Sequence, residues 1–504
     1  MPRFARPAEC ASCHPRQYQQ WQGSMMAYAE MSPVFNALEA AGNRLTGGAF
    51  AADGPDALLC QGCHSPVSVA LGEFPPFRES AGRPSRDFAG DVGRHGLSCD
   101  FCHQVAHADL EGSLLGDGIA NAAFLLEPGR TKFGPFTQPS ANFAHASTQS
   151  AYLRSAEFCG SCHDVRLPGT DAVTGEPFLR LENAFTEWQR GPYATADNPY
   201  GRIVTCQDCH MSAYPYEPPG TYRVDWASTL TSAPQRSVAP HYFTGVDVAL
   251  IDFPGQDDEG LDTYGLPIGQ ARRRADLLRA ACTLALEAPE SVEPGAVLPI
   301  TVVVTNVGAG HNVPTGFSQE RQMWIELTVT DASGIVIYES GTLVDRAHPE
   351  TGEPEPDGTL DDEDLDNRLG SIDAVTLEAD LVPGPDENQR PAANLGLMNF
   401  GNEFLRVTAS GANEVFAPFL ANHMDNSHSL PALEHARVRY DVPVPHRLRG
   451  VLQISARLRF RAFPPRFLRA MAQARPDLVS EATVDRNRIV DMAEAHRVAA
   501  VSTQ

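Results

Sequence analysis

An α+β chain in two unlike parts is the architecture the sequence predicts: a loop-rich, short-helix N-terminal half followed by an immunoglobulin-like β-sandwich. Three observations carry this. Every Cys-x-x-Cys-His segment falls before residue 211. From about residue 270 the texture turns to alternating apolar and polar residues, the period of a half-buried strand. And 504 residues exceed one ordinary domain. The divisions expected are 1–250, a linker and helix over 251–285, and a sandwich over 286–504 that includes an acidic loop at 350–366 and a C-terminal helix.

In the first part the gaps between successive motif cysteines are 50, 39, 60 and 47 residues, so no strict repeat exists. Helices there are short. Ser32 can cap, Pro33 suits a first turn, Val34–Ala41 continues it, and Gly42 is expected to end it. Further on, Gln270–Ala281 reads as a helix. Strands are expected at Thr283–Glu287, Leu298–Asn306, Trp324–Thr330, Ile335–Glu339, Ala436–Val444 and Val451–Phe460, with a turn at Asp331-Ala332-Ser333-Gly334. A last helix is expected from Pro465 through Arg466–Gln473. The acidic run Asp361, Asp362, Glu363, Asp364 lacks the glycine and spacing of a calcium loop and reads as a solvated loop.

The motifs themselves are Cys10/Cys13/His14, Cys60/Cys63/His64, Cys99/Cys102/His103, Cys159/Cys162/His163 and Cys206/Cys209/His210. Two thiols three residues apart can both reach the vinyl groups on one porphyrin edge, and the next imidazole can turn onto the iron. The pattern is therefore the attachment signature of haem c. A chain with 11 Cys and 16 His would by chance contain no such segment. Zinc sites also pair cysteines but give no reason for His after every pair, and a redox disulfide needs only one motif. Five haem c groups are the expected cofactors. The remaining cysteine, Cys282, reads as a buried apolar residue.

With 39 basic and 63 acidic side chains the net charge is −24, and residues 1–250 account for 17 and 25 of them. Such a surface repels nucleic acid and anionic lipid and suits cationic redox partners. Covalent haem attachment occurs outside the bacterial inner membrane, so a periplasmic or cell-surface location is expected. Nine residues before Cys10 are too few for a signal peptide, and one trimmed or mis-annotated is expected. No apolar run reaches the 18 residues of a membrane span.

Several segments resemble multihaem cytochromes related to the tetrahaem cytochrome c of ammonia oxidisers. They are Trp21-Gln22-Gly23-Ser24-Met25-Met26-Ala27, Ser155–His163 with His145 upstream, Thr186-Glu187-Trp188 before Pro192-Tyr193, and Cys206–Met211. The resemblance covers roughly residues 8–250. It implies distal iron ligands at Met26, where the family commonly has His, and at His145 and His241. Met25 is the alternative to Met26, and core packing the alternative to both. His311, in Gly308-Ala309-Gly310-His311-Asn312-Val313-Pro314, sits in a loop able to approach a porphyrin closely, and similar loops follow the haem domain in related cytochromes. It is expected to ligate a haem of the first half. His95 and His107 flank the third motif and compete for one remaining iron. His423 and His428 are weaker candidates, and His348, His435, His446 and His496 read as surface or cap residues.

Electron transfer through five haems, to other redox proteins or a membrane electron-transfer complex, is the expected function. The resemblance extends distantly to hydroxylamine oxidoreductases and pentahaem nitrite reductases. Those reductases hold the catalytic haem with Cys-x-x-Cys-Lys, whereas all five motifs here end in His. Lys132, the single lysine, is remote from every motif in sequence. Two alternatives stay open: a reductase of a small nitrogen or sulfur substrate at one five-coordinate haem, and a structural module of an extracellular cytochrome assembly.

Overall fold

The computed structural model describes residues 4–46, 59–72, 79–80, 83–84, 93–109, 119–139, 144–230, 234–342, 346–347, 354–355, 378–381, 398–415 and 417–502. Apart from Pro354–Glu355 the acidic run at 350–366 lies outside these residues, as does His348. The class is mixed α and β. Two compact units form, one from Met1–Leu277, Leu405–His423 and Leu468–Arg486, the other from Leu278–Phe404, Met424–Phe467 and Asn487–Gln504.

In the first unit, short helices alternate with two-stranded ladders. α1 (Pro7–Ala11), α2 (Pro15–Gln22), α3 (Met25–Tyr28) and α4 (Pro33–Leu45) open it, followed by α5 (Gln61–His64), α6 (Pro66–Leu71) and α7 (Cys99–Cys102). β1 (Val105–Ala108) pairs with β2 (Phe124–Leu126), and β3 (Thr131–Gly134) runs parallel to β4 (Ala146–Gln149). After α8 (Ala156–Gly160) come the antiparallel pair β5 (Val165–Pro168) and β6 (Phe178–Glu182), then α9 (Ala184–Arg190) and α10 (Cys206–His210). β7 (Arg223–Trp226) and β8 (Gln235–Val238) close the set. Prolines occupy the first turns of α1, α2, α4 and α6, where no amide is needed.

α4 corrects one expectation. Ser32 does cap it, its Oγ accepting from the Phe35 amide at 3.3 Å, but the helix runs past Gly42 to Leu45. Gly42 is there for space rather than termination: a Cβ would stand 2.6 Å from ring atoms of Phe419. Helix propensity lost at glycine is about 1 kcal/mol, less than the cost of expelling a packed phenyl ring.

α11 (Gln270–Ala281) leads into the second unit, whose order is β9 (Cys282–Glu287), β10 (Ser291–Val292), β11 (Val297–Asn306), β12 (Gln322–Asp331), β13 (Val336–Ser340), β14 (Glu378–Leu381), β15 (His435–Pro443), β16 (Gly450–Arg461) and, after α12 (Pro465–Ala474) and α13 (Glu481–Asp485), β17 (Val490–Val501). A four-stranded sheet runs β9-β11-β15-β14, and a six-stranded one contains β10-β17-β16-β12-β13. Alternation decides which face is inside. Leu298, Ile300, Val302 and Val304 of β11 and Ala436, Val438, Tyr440 and Val442 of β15 are wholly buried; each large apolar side chain so buried contributes about 1.5–3 kcal/mol. Tyr338 of one sheet meets Tyr440 of the other edge to face, with centroids 6.3 Å apart. Cys282 is buried, and burial pushes its thiol up to about 12, as an inert core residue requires.

The helix at Pro465 is not the last element. α13 and the twelve-residue β17 follow it, and β17 pairs with β16 from Val490 to Val501. Its run Met492-Ala-Glu-Ala-His-Arg-Val-Ala-Ala is made of helix formers, and only the ladder on β16 makes it a strand. Of the twelve largest fully buried side chains among the described residues, ten belong to the second unit and only Tyr193 and Leu250 to the first. No described helix is long and apolar enough to cross a membrane.

Candidate haem-attachment centres

Each motif folds as one helical turn. The histidine amide donates back to the first cysteine carbonyl at 2.8 Å for His14, 3.1 Å for His64, 3.1 Å for His103 and 2.9 Å for His163, and Cys206–His210 is itself α10. Positions i, i+3 and i+4 of a helix share a face, so two sulfurs and one imidazole converge. Local caps fix the turns: Ser98 accepts from the Phe101 amide at 3.4 Å, and Thr205 with Asp208 forms a capping box.

Every motif imidazole is held by its Nδ1. The partners are the carbonyls of Ala227 for His14 (2.6 Å), Ala29 for His64 (3.0 Å), Phe133 for His103 (2.6 Å) and Thr244 for His210 (2.6 Å), and the Glu182 carboxylate for His163 (2.9 Å). A carbonyl only accepts, so Nδ1 carries the proton and Nε2 keeps the lone pair a metal needs. Burial pushes the imidazoles of His14, His64, His103 and His210 below their ordinary range, which keeps them neutral. His163 goes the other way. Burial would lower it, but the hydrogen bond and charge of Glu182 override this and raise it to about 9.

Sulfurs of different motifs meet. Cys10 and Cys99, Cys63 and Cys162, and Cys159 and Cys206 lie close enough to shift one another's thiols, and Cys102 lies within electrostatic reach of Cys162. Those thiols stand in for thioether sulfurs. The fourth motif therefore borders the second, third and fifth, and the first borders the third.

The distal candidates fall out unevenly. His145 faces His14 with ring centroids 6.3 Å apart and planes 26° apart; two imidazoles bound through Nε2 on opposite sides of one metal at about 2 Å each would stand about 6 Å apart. Its Nδ1 is engaged by the Ala146 carbonyl at 3.0 Å. His241, with Nδ1 on the Ala239 carbonyl at 2.9 Å, is pushed down to about 4 by burial and by the neighbouring His103 and His14. His311 has Nδ1 on the Asn312 carbonyl at 2.8 Å. Met26 is half-buried in α3, its carbonyl accepting from the Leu97 amide at 3.0 Å. Close by, His95 lies edge-on to Trp21 with centroids 6.4 Å apart. His107 is exposed and bonded to the Ala108 carbonyl at 2.7 Å. His423 is buried in the first unit, its Nδ1 2.9 Å from both oxygens of Asp171. His428 lies 3.9 Å from Glu403 and 4.0 Å from Asp425. His435, His446 and His496 are exposed.

Lys132 needs correcting: remote in sequence, it is adjacent in space. Its Nζ pairs with Asp100 inside the third motif and donates to the Gly129 carbonyl at 2.8 Å, while the next residue's carbonyl holds His103. Asp100 is buried and also accepts from the Ala5 amide at 2.6 Å. Lys132 thus neutralises a buried carboxylate. Removing one partner of a buried pair costs about 3–5 kcal/mol. With the Ala5 amide retained, Lys132→Met is expected to cost about 3 kcal/mol, read as a lower thermal midpoint at unchanged haem content. An unaltered midpoint would show the pair to be energetically idle.

Neither Glu182 nor Lys132 was legible from the motifs, because each reaches its partner through strand pairing. Paired cysteines, imidazoles held through Nδ1 and the unpartnered buried amide atoms of Gln104, directly after His103, fit covalently attached haem. Residues 9–104 match a family model described as cytochrome c554 and c-prime. The crystal structure of a penta-heme cytochrome c552 from Thermochromatium tepidum is similar in fold, with a TM-score of 0.52 and 16% identity over 98% of this chain and 99% of that one. A second solved structure, the CARDB domain of a Pyrococcus furiosus protein in complex with di-metal ions, has a TM-score of 0.15 at 10% identity over 44% of this chain and 87% of that one, and carries no argument. No curated protein matches. The first hundred residues are thus similar to a cytochrome c family, and the whole chain is similar in fold to a penta-heme cytochrome.

Proposed function

We propose that the chain passes electrons among five covalently attached haem c groups in the periplasm or at the cell surface, between other redox proteins or to a membrane electron-transfer complex. The observation that carries this is the build the five motifs share: one helical turn with the imidazole held through Nδ1. Haem, when bound, supplies the one-electron chemistry. The chain's own residues tether it through Cys10, Cys13, Cys60, Cys63, Cys99, Cys102, Cys159, Cys162, Cys206 and Cys209 and orient His14, His64, His103, His163 and His210. The contacts between motifs support a path through the first, third, fourth and fifth, with the second joined at the fourth.

For the sixth positions, His145 is proposed opposite His14 and His241 opposite His103. Met26, His95 and His311 are proposed for those that remain. A domain division at 1–250, 251–285 and 286–504, with the two sheets read as an immunoglobulin-like sandwich, belongs to the same proposal. The net charge of −24 favours a cationic docking partner.

Electron spin resonance of the oxidised protein tests the carrier reading, because a sixth protein ligand makes ferric haem low-spin. Five low-spin haems, and no carbon monoxide binding after reduction, are expected. A high-spin component equal to one haem would instead favour a reductase with one open iron.

A further inference from the structure

One of the five motif histidines differs from the rest in what holds it. Four Nδ1 atoms donate to neutral carbonyls, and His163 donates to the Glu182 carboxylate. The geometry points to Glu182 as a positioning residue that makes the fourth-motif haem the lowest in reduction potential of the five, an inference that rests on the haem reading above. A carboxylate on the far nitrogen pushes electron density through the imidazole and adds a negative charge beside the iron, and both favour the ferric state.

The contact is built in, not incidental. Antiparallel pairing of β5 with β6 sets Glu182 opposite Val165, two residues after His163. Immediately beyond, the Phe185 amide donates to the His163 carbonyl at 3.0 Å and the Thr186 amide to the Asp164 carboxylate at 3.0 Å. Phe185 in turn packs so tightly on Gly160 that a Cβ there would stand 2.4 Å from its ring. Among the described residues no cation pairs with Glu182, while the nearby Arg180 is committed to Glu176 at 2.9 Å. The carboxylate charge therefore acts first on His163, which it also hydrogen-bonds, and more weakly on His64 of the second motif.

Position gives this tuning a consequence. The fourth motif borders the second, third and fifth through its sulfurs, so a ferric-favouring haem stands at the branch of the path. When one haem gives up an electron, a neighbour is reduced by one. A junction of low potential holds that electron least and keeps charge on the outer haems instead of at the branch.

Potentiometric titration of fully matured wild-type, Glu182→Gln and Glu182→Asp proteins, each with its haems counted by mass, tests the inference. Glu182→Gln keeps an acceptor but loses the charge. It should shift the ferric-to-ferrous equilibrium of the lowest-potential haem at least tenfold, 59 mV for one electron, shift the second-motif haem by less, leave the other three in place and alter one low-spin resonance signal. Glu182→Asp keeps the charge and should keep that haem the lowest of the five. Five haems with five unchanged potentials in Glu182→Gln overturn the inference. Loss of the fourth-motif haem in both variants alike assigns Glu182 to packing and also overturns it. Fewer than five haems on wild-type protein would instead overturn the reading beneath it.

Discussion

Matured in a host that exports and haem-loads it, the protein is expected to weigh its polypeptide mass plus five haems, and the double variant Cys159→Ser/Cys162→Ser to carry four. The structure says why stability should follow haem content. The first unit spans more than half the chain yet supplies only two of the twelve largest fully buried side chains among the described residues. All ten motif cysteines are only partly buried, whereas Cys282 is buried. Apolar burial drives folding, and porphyrins bound at the motifs would extend the core of a unit whose largest side chains are seldom fully buried. Protein made without haem should therefore lose the cooperative melting of the first unit in calorimetry, while the alternating strands of the second still melt cooperatively. Fewer than five haems on fully matured protein, or motif cysteines recovered as disulfides, would end the proposal.

The second large effect is expected at His145. Facing His14 at a centroid separation of 6.3 Å, it is the best-placed of the distal candidates, with Nδ1 turned to the Ala146 carbonyl. His145→Ala should convert one haem in five from low to high spin and let it bind carbon monoxide once reduced. His14 would stay in position, since its Nδ1 is held by the Ala227 carbonyl at 2.6 Å. His241→Ala should do the same for the haem of the third motif. Five low-spin haems in the His145 variant would return that residue to the role of a loop histidine hydrogen-bonded to Ala146 and Ser147.

What the sequence revealed and what it hid divide along one physical line. Features set within a few residues were legible: the Ser32 cap of α4, α11 from Gln270 to Ala281, and the β12–β13 hairpin, whose Asp331 carboxylate accepts from the Ser333 and Ile335 amides while Gly334 takes a φ of 85°. Features set by distant partners were not. Gly42 looked like a helix stop because its reason, Phe419, is far along the chain. β17 is a strand because β16 is beside it. Asp171 meets His423 across 252 positions, and Lys132 reaches Asp100 only because β3 passes the third motif.

The first unit is not continuous in the chain: Leu405–His423 and Leu468–Arg486 belong to it. The bond from His423 to Asp171 and that from Arg486 to Asp252, at 2.5 Å, are among its closures. Ribosomes deliver roughly 5–20 residues per second, so tens of seconds separate the appearance of His210 from that of Arg486. Throughout that interval the motif segments lack their last clasps, and such distant contacts form slowly. If the chain is threaded across the membrane from its N-terminus, its Cys-x-x-Cys-His turns would meet the attachment machinery before the residues that supply those clasps. The arrival of the chain's far end then seals the scaffold around what has been attached.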